Sequence, residues 1–367
     1  MEFSNKGEES PIKQLNIPWV DSPLFEAEIA QSSLDPESEK LVRHYADRGY
    51  VILDSVIDNF EAAATDILDC LEVAKRKQNN PQVPTWYQDR IQDAWVFQET
   101  VKNLALAPKV LSILRLLYRR EPIPFQTLNF WRGTQQKTHS DTIHFNSFPQ
   151  RFMCGVWVAL EDIDAENGPL HYYPGSHKLP IIQLHDLGLT GTTVKPGINY
   201  KKYTSFVAEW LQEKGLKKID IALSKGQAIV WSANLFHGGS PILDLSRTRH
   251  SQVTHYYFSD CLYYTPLFSN LPLGQIHLRT IKNIATGEFV PQVYNGEILD
   301  SASENAAREP SSLAAETLVK IAVLKQSLEK TEAELRRSQD KIAAMESSKF
   351  WKLRSQWFAL KQKLGWD

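Results

Sequence analysis

Three residues set the problem: His139 and Asp141, separated by one serine, and His237 almost a hundred residues on. Imidazole and carboxylate suit ferrous iron. Two histidines and one carboxylate hold it from one side and leave positions open for a cosubstrate and dioxygen. Side chains two apart on an extended segment point the same way. The strand-like run 135–140 is therefore expected to deliver His139 and Asp141 together. His237 ends the apolar run Val230-Trp-Ser-Ala-Asn-Leu-Phe and precedes Gly238-Gly239, where absent side chains let backbone pass close to a crowded centre. A lone His-x-Asp triplet is weak, because chance supplies many. Its company carries the reading: a distal histidine on another strand and an arginine on the next.

The arginine belongs to the electron source. Decarboxylation of 2-oxoglutarate supplies two electrons, and the far carboxylate of that cosubstrate calls for a bidentate guanidinium. Arg247 and Arg249 both follow His237. Alternation through 249–255 puts Arg249, Ser251, Val253 and His255 on one face. The plain alternative for either arginine is a surface salt bridge. Asn129, Trp131 and Gln136 approach the His-x-Asp pair and are candidates for the pocket lining, Asn129 and Gln136 as further contacts to the cosubstrate, with packing as the plainer role. His144 reads as a pocket wall rather than a ligand. His177 reads as a residue that stabilises its loop.

These residues need a β framework to hold them. Short apolar or alternating runs cover Phe125 to Trp131, Phe152 to Leu160, Ile219 to Leu223, Ala228 to Trp231 and Ser251 to Phe258. Gly, Pro, Asn and Asp separate them, as in the turn from Asp164 to Gly168. Helical spacing appears at Ser38 to Arg48, at 59–77 and around Val110 to Tyr118, and the run Gly49-Tyr-Val-Ile-Leu lies between the first two. No βαβ rhythm and no GxGxxG is present. The expected class is mainly β with flanking helices around a double-stranded β-helix, jelly-roll or cupin-like core. The expected division is an irregular segment 1–37, a jelly-roll domain 38–293, a polar linker 294–312 and a helical tail 313–367.

In the tail, Ile321, Leu324, Leu328, Leu335, Ile342 and Met345 fall on a 3-4 heptad pattern, with Thr331 and Ser338 at two seam positions. This reads as a short, imperfect coiled coil. Phe350, Leu353, Trp357, Leu360 and Leu364 repeat the spacing one residue out of register, among lysines and an arginine. Self-association through this helix, contact with an anionic membrane surface and packing back on the domain are all open.

Bulk composition narrows the rest. Of the 367 residues, 42% are hydrophobic and 23% charged, ordinary for a globular protein. A net charge of −2 gives no reason to expect nucleic acid. Cys70, Cys154 and Cys261 lie far apart, which argues against disulfide or zinc frameworks and fits a reducing compartment. The first residues carry no apolar run, so no signal peptide is expected, and no window is long and apolar enough to span a bilayer. The expected location is cytoplasmic, with the tail as the one route to the periphery of a membrane.

Taken together, the motifs resemble the phytanoyl-CoA dioxygenase family of Fe(II)/2-oxoglutarate oxygenases, over roughly residues 40 to 265. The carriers are Gly49-Tyr-Val-Ile-Leu, His139-Ser-Asp-Thr-Ile-His-Phe, Val156-Trp-Val-Ala-Leu-Glu-Asp-Ile-Asp-Ala-Glu-Asn-Gly-Pro-Leu, Tyr173-Pro-Gly-Ser-His-Lys178, His237-Gly-Gly-Ser-Pro and Arg249. The resemblance implies iron ligation by His139, Asp141 and His237, and anchoring of 2-oxoglutarate by Arg249, with Ser251 as a further contact. The interval from His237 is one residue longer than the family's for Arg249 and one shorter for Arg247. Arg249 is preferred because His255-Tyr-Tyr then fits the family's strand. Asp141 stands where halogenating relatives carry a small residue, which favours hydroxylation. The implied activity oxidises a small molecule, lipid or glycan precursor and releases succinate and CO2. The stretch 344–361 resembles a tail found on cyanobacterial glycosyltransferases and methyltransferases, which implies work on a glycan, a lipid or a secondary metabolite. The competing readings are a non-catalytic metal-binding jelly roll and a coiled-coil scaffold subunit. The intact carboxylate plus arginine argues against both.

Overall fold

The computed structural model describes residues 15–78, 90–193 and 196–299, together with positions 336, 356–358, 360 and 363–364. The chain divides into two units, residues 1–307 and 308–367. The first carries the fold described here. The coiled-coil reading of 313–367 lies outside the described residues except at Arg336, Gln356, Trp357, Phe358, Leu360, Lys363 and Leu364, which are helical and exposed. No helix among the described residues is long and apolar enough to cross a membrane.

Helix α1 (Phe25–Ala30) and helix α2 (Pro36–Arg48) lead into strand β1 (Tyr50–Leu53). Asp35 caps α2 by accepting from the amides of Glu37 and Ser38, with Pro36 at the first helical position. The helix stops at Gly49, whose φ of 81° suits a residue without a side chain. A Cβ there would also lie 2.5 Å from the His177 ring. Helices α3 (Phe60–Gln78), α4 (Glu99–Ala105) and α5 (Pro108–Tyr118) complete the helical layer, with β2 (Arg90–Gln92) between α3 and α4.

The remaining strands are β3 (Pro122–Phe130), β4 (Asn146–Phe148), β5 (Met153–Ala159), β6 (Leu170–Tyr172), β7 (Ile219–Ile221), β8 (Ala228–Ser232), β9 (His237–Gly239), β10 (Ser251–Phe258), β11 (Leu262–Tyr264), β12 (Gln292–Tyr294) and β13 (Glu297–Leu299). Helix α6 (Pro196–Glu213) lies between β6 and β7. The large sheet runs β1-β8-β5-β10-β3-β2, antiparallel throughout. A smaller sheet runs β7-β6-β9, and β4 pairs with β11. The core is mainly β with flanking helices, as its strand-rich middle and helical first third require.

Burial explains the layering. One face of the large sheet carries Val156, Val158, Val230 and Tyr256, which pack with Val42, Leu104 and Leu114 of the helices. The other carries Phe130, Trp157, Ile229 and Val253, which pack with Leu170, Tyr172 and Ile221 of the small sheet. Each such side chain contributes about 1.5–3 kcal/mol on burial. Leu114→Ala or Val230→Ala should therefore open a costly cavity between layers.

Three expectations need correction. Residues 15–37 are not an irregular appendage: they include α1, and Trp19, Val20 and Ile29 are buried in the helix-side core. Residues 135–140 are not a strand. Gln135 has a φ of 48°, and the run holds an isolated bridge from His139 to His237 and one hydrogen bond from the Gly239 amide to the Gln136 carbonyl in place of a ladder. The linker does not begin at 294, because β12 and β13 form a hairpin across that point. Helix α6 was not foreseen, although Tyr203, Val207 and Leu211 give it a buried stripe at i, i+4, i+8.

Candidate metal centre

The bridge between His139 and His237 is reciprocal: each backbone amide donates to the other's carbonyl at 2.9 Å. That pairing brings the two imidazoles side by side, with ring centroids 4.6 Å apart and planes tilted by 47°. Ser140 is extended, and Asp141 opens a 3₁₀ turn that runs to Ile143. The carboxylate thus returns beside His139 without a continuous strand. His139, Asp141 and His237 are all buried, and their donor atoms lie within 4.8 Å of one another. Asp141 Oδ1 is 3.6 Å from His139 Nε2 and 3.8 Å from His237 Nε2.

The tautomers follow from the partners. His139 Nδ1 donates to the Lys137 carbonyl at 2.8 Å and His237 Nδ1 to the Leu235 carbonyl at 2.9 Å. A carbonyl only accepts, so Nδ1 carries the proton and Nε2 presents its lone pair inward. Burial pushes His237 down to about 4, partly opposed by Asp141, so the ring is neutral at pH 7. Burial works to raise Asp141, but His237, His139 and His255 more than offset it and hold the carboxyl well below its usual range. Neutral imidazoles and an ionised carboxylate are the forms that ligate a metal.

Arg249 lies just before β10 and is 1% exposed. Nη1 donates to the Gly168 carbonyl at 3.1 Å and Nη2 to that of Arg132 at 3.4 Å, while Nε makes no hydrogen bond to protein. The guanidinium sits 5.2 Å over the Trp157 ring and 5.9 Å over Phe130. Burial lowers it to about 10, so it stays charged. Among the described residues no carboxylate pairs with it. Arg247 is different: its Nη1 contacts both oxygens of Asp164 at 2.8 Å, with Glu166 3.7 Å away, on a half-exposed loop.

Ser251 is buried with an unpaired Oγ, two residues from Arg249 on the inner face. Gln136 Nε2 lies 3.2 Å from His139 Nε2 and 3.0 Å from Tyr200 Oη of α6. It thus stands on the imidazole side of the centre, not beside Arg249. Asn129 does not reach the site. It pairs with Gln252 across the sheet, donates to that amide at 3.2 Å and faces the helices, where Gln252 Nε2 donates to the Val101 carbonyl. Its place in β3 turns it to the helix side, away from the site. His144 stands 4.9 Å from the Tyr200 ring and 6.0 Å from His139, outside the ligand cluster. His177 ties its loop to α2 through the Ala46 carbonyl. A cleft of about 510 Å³ opens beside Gln136, lined also by Lys137, Thr138, His171, Thr204 and Glu209.

Two residues were not foreseen. Tyr200 reaches the centre from α6, the helix that was missed. Trp231 donates its indole N–H to Asp141 Oδ2 at 2.8 Å. Only the inward phase of β8, shared with Ile229, hinted at its direction.

Fold and site together define a mainly β protein with flanking helices and a buried two-histidine, one-carboxylate cluster. The model of the phytanoyl-CoA dioxygenase family matches residues 38–250, more than half of the chain, and the chain belongs to that family. It is 26% identical over 166 residues to the phytanoyl-CoA dioxygenase of Arabidopsis thaliana, a match covering 43% of this chain and 53% of that protein. It is 33% identical over 85 residues to phytanoyl-CoA dioxygenase domain-containing protein 1 of Danio rerio, covering 22% and 29%. The chain thus spans from under a third to about half the length of these curated relatives. Among solved structures, the alpha ketoglutarate dependent carbocyclase SnoK from nogalamycin biosynthesis shares the fold. Its TM-score is 0.50 at 18% identity, over 63% of this chain and 87% of that one.

Proposed function

We propose that this protein is an Fe(II)- and 2-oxoglutarate-dependent dioxygenase that hydroxylates an unactivated C–H bond of a small molecule, lipid or glycan precursor. The observation that carries the reading is the buried cluster of His139, Asp141 and His237, with both Nε2 atoms and one carboxylate oxygen turned to one point. The residues fit the metal in donor type, protonation and tautomer. They also fit the cosubstrate: among the described residues Arg249 is a buried cation with a free Nε–H and no carboxylate partner, and Ser251 Oγ is unpaired beside it.

Bound there, iron would supply dioxygen activation and 2-oxoglutarate the two electrons, with one oxygen atom going to succinate and the other to the product. The chain does the rest. His139, Asp141 and His237 hold the metal from one side. Arg249 fixes the far carboxylate, and Trp157 and Phe130 wall the guanidinium off from water, which strengthens that pairing. Gln136 and Tyr200 stand where a substrate approaches from the α6 side, next to the polar cleft. Succinate formation that requires Fe(II), 2-oxoglutarate and O2, with a product one oxygen heavier than the substrate, tests the reading. A folded protein that forms no Fe(II)-dependent succinate would contradict it.

We propose further that residues 313–367 mediate self-association. The heptad seam supports this, and Trp357, Phe358, Leu360 and Leu364 are each about half exposed. Truncation after Pro310 should lower the mass measured by light scattering. An unchanged mass, with tail-dependent sedimentation on anionic liposomes, would move the tail to a membrane surface instead.

A further inference from the structure

Asp141 has two oxygens, and they face different partners. Oδ1 faces the two histidine Nε2 atoms. Oδ2 accepts the Trp231 indole N–H at 2.8 Å in a buried contact. An indole only donates and an ionised carboxylate only accepts, so the polarity of this bond is fixed. Its charge assistance makes it stronger than a neutral pair.

The indole has little freedom to leave. Trp231 is 2% exposed and lies on the inner face of the large sheet, across from Gly155 on β5 and Tyr50 on β1. Its ring is 5.3 Å from His237 and 6.4 Å from both Tyr172 and His255. Gly155 provides the remaining space. A Cβ at that position would lie 2.1 Å from the six-membered ring of the indole. No left-handed backbone explains the glycine; the approach of the indole does.

Resting on the metal-centre reading above, we propose that Trp231, seated by Gly155, is the positioning residue that restricts Asp141 to one-oxygen ligation. Its N–H occupies Oδ2, so the carboxylate meets the metal through Oδ1 and does not swing to chelate. A chelating carboxylate would take a coordination position that the cosubstrate and dioxygen need. Trp231 acts through Asp141 and not on the metal itself.

Co(II) is the probe for the test, titrated into the full chain, with affinity and ligand-field spectrum as readouts. In Trp231→Phe, binding should weaken about 10–100-fold, the usual range for losing a partner that orients a ligand, and the spectrum should change as the carboxylate alters its mode. Gly155→Ala should do the same by displacing the indole. The double variant should bind no more weakly than Trp231→Phe alone, because the smaller phenyl leaves room for the methyl; that non-additivity marks the two residues as one device. Thermal melting of the metal-free variants establishes folding. If Trp231→Phe did not fold, Gly155→Ala decides by the same readouts. A folded Trp231→Phe or Gly155→Ala with wild-type affinity and spectrum overturns the inference. A wild type that binds no Co(II), or binds it equally in His139→Ala, overturns the metal-centre reading and this inference with it.

Discussion

Alternate residues of β10 face two different worlds. Toward the helices, Gln252 donates to the Val101 carbonyl at 3.0 Å and Tyr256 to the Ala105 carbonyl at 2.8 Å. Their polar atoms fasten α4 to the sheet. Toward the small sheet, Ser251 Oγ, Trp157 Nε1, Tyr172 Oη and Arg249 Nε make no hydrogen bond to protein. The helix face also keeps two such atoms, Thr127 Oγ1 and Asn129 Oδ1, but no charged group among them. An unpaired buried polar atom costs about 1–3 kcal/mol, more when charged. One face therefore uses polarity to build the fold. The other leaves polar atoms without a protein partner among the described residues.

The largest effects should come from breaking the inner face at the metal. His139→Ala, Asp141→Ala and His237→Ala are each expected to abolish Fe(II)-dependent succinate formation while leaving the circular dichroism of the fold unchanged. Turnover that survives in His237→Ala would remove it from the ligand set.

Arginine substitution sharpens the contrast between inside and surface. Arg249→Leu removes a buried charged partner of a carboxylate, worth about 2–5 kcal/mol, and should raise the 2-oxoglutarate concentration for half-saturation steeply. Arg247→Leu loses an exposed, solvent-screened ion pair and should barely move it. The reverse order in a 2-oxoglutarate titration would show that the register of this segment was misread.

The next effect is in pH. Burial lowers His255, on the inner face, and His177, against α2, from 6.5 to about 4. Below pH 6.5 the unfolded chain takes up protons that the folded chain refuses until about 4. Stability is then fully present above 6.5 and falls as the pH drops toward 4, by at most about 3 kcal/mol per group. Melting of the metal-free protein from pH 7 to 4 should show this decline shrinking in His177→Gln relative to wild type; a pH dependence unchanged in that variant would mean that the His177 ring is not buried neutral.

The smallest effect is on the helix face. Gln252→Leu strands the Val101 carbonyl and the Asn129 amide, and should cost about 1–3 kcal/mol in urea unfolding. Co(II) affinity should stay at the wild-type value. A large loss of metal binding here would erase the division between the two faces.

The buried cluster of His139, Asp141 and His237 was legible because the family resemblance joined two motifs that are weak on their own. His139 and Asp141 lie within one short motif, and His237 sits before two glycines. Arg249 and Arg247 were not separable by spacing, since both fall in an irregular segment; only the tertiary setting sends one to Trp157 and the other to Asp164. Asn129 was misplaced for a physical reason. All but one residue of β3 are buried, on both faces, so hydrophobic alternation cannot phase the strand. Trp231 was invisible in this role because its partner is 90 residues away in sequence and the contact depends on how two sheets stack. Residues 15–37 looked irregular because their anchors, Trp19, Val20 and Ile29, follow no helical or strand period.

The central claim is that the inner face assembles one iron and one 2-oxoglutarate around His139, Asp141, His237 and Arg249. Anaerobic titration of the protein with Fe(II) and 2-oxoglutarate, followed by absorbance, tests it most directly. The account predicts a weak metal-to-ligand charge-transfer band that saturates at one equivalent of each, disappears in His139→Ala and needs far more 2-oxoglutarate in Arg249→Leu. A folded wild-type protein that gives no band, or one unaffected by His139→Ala, would contradict it.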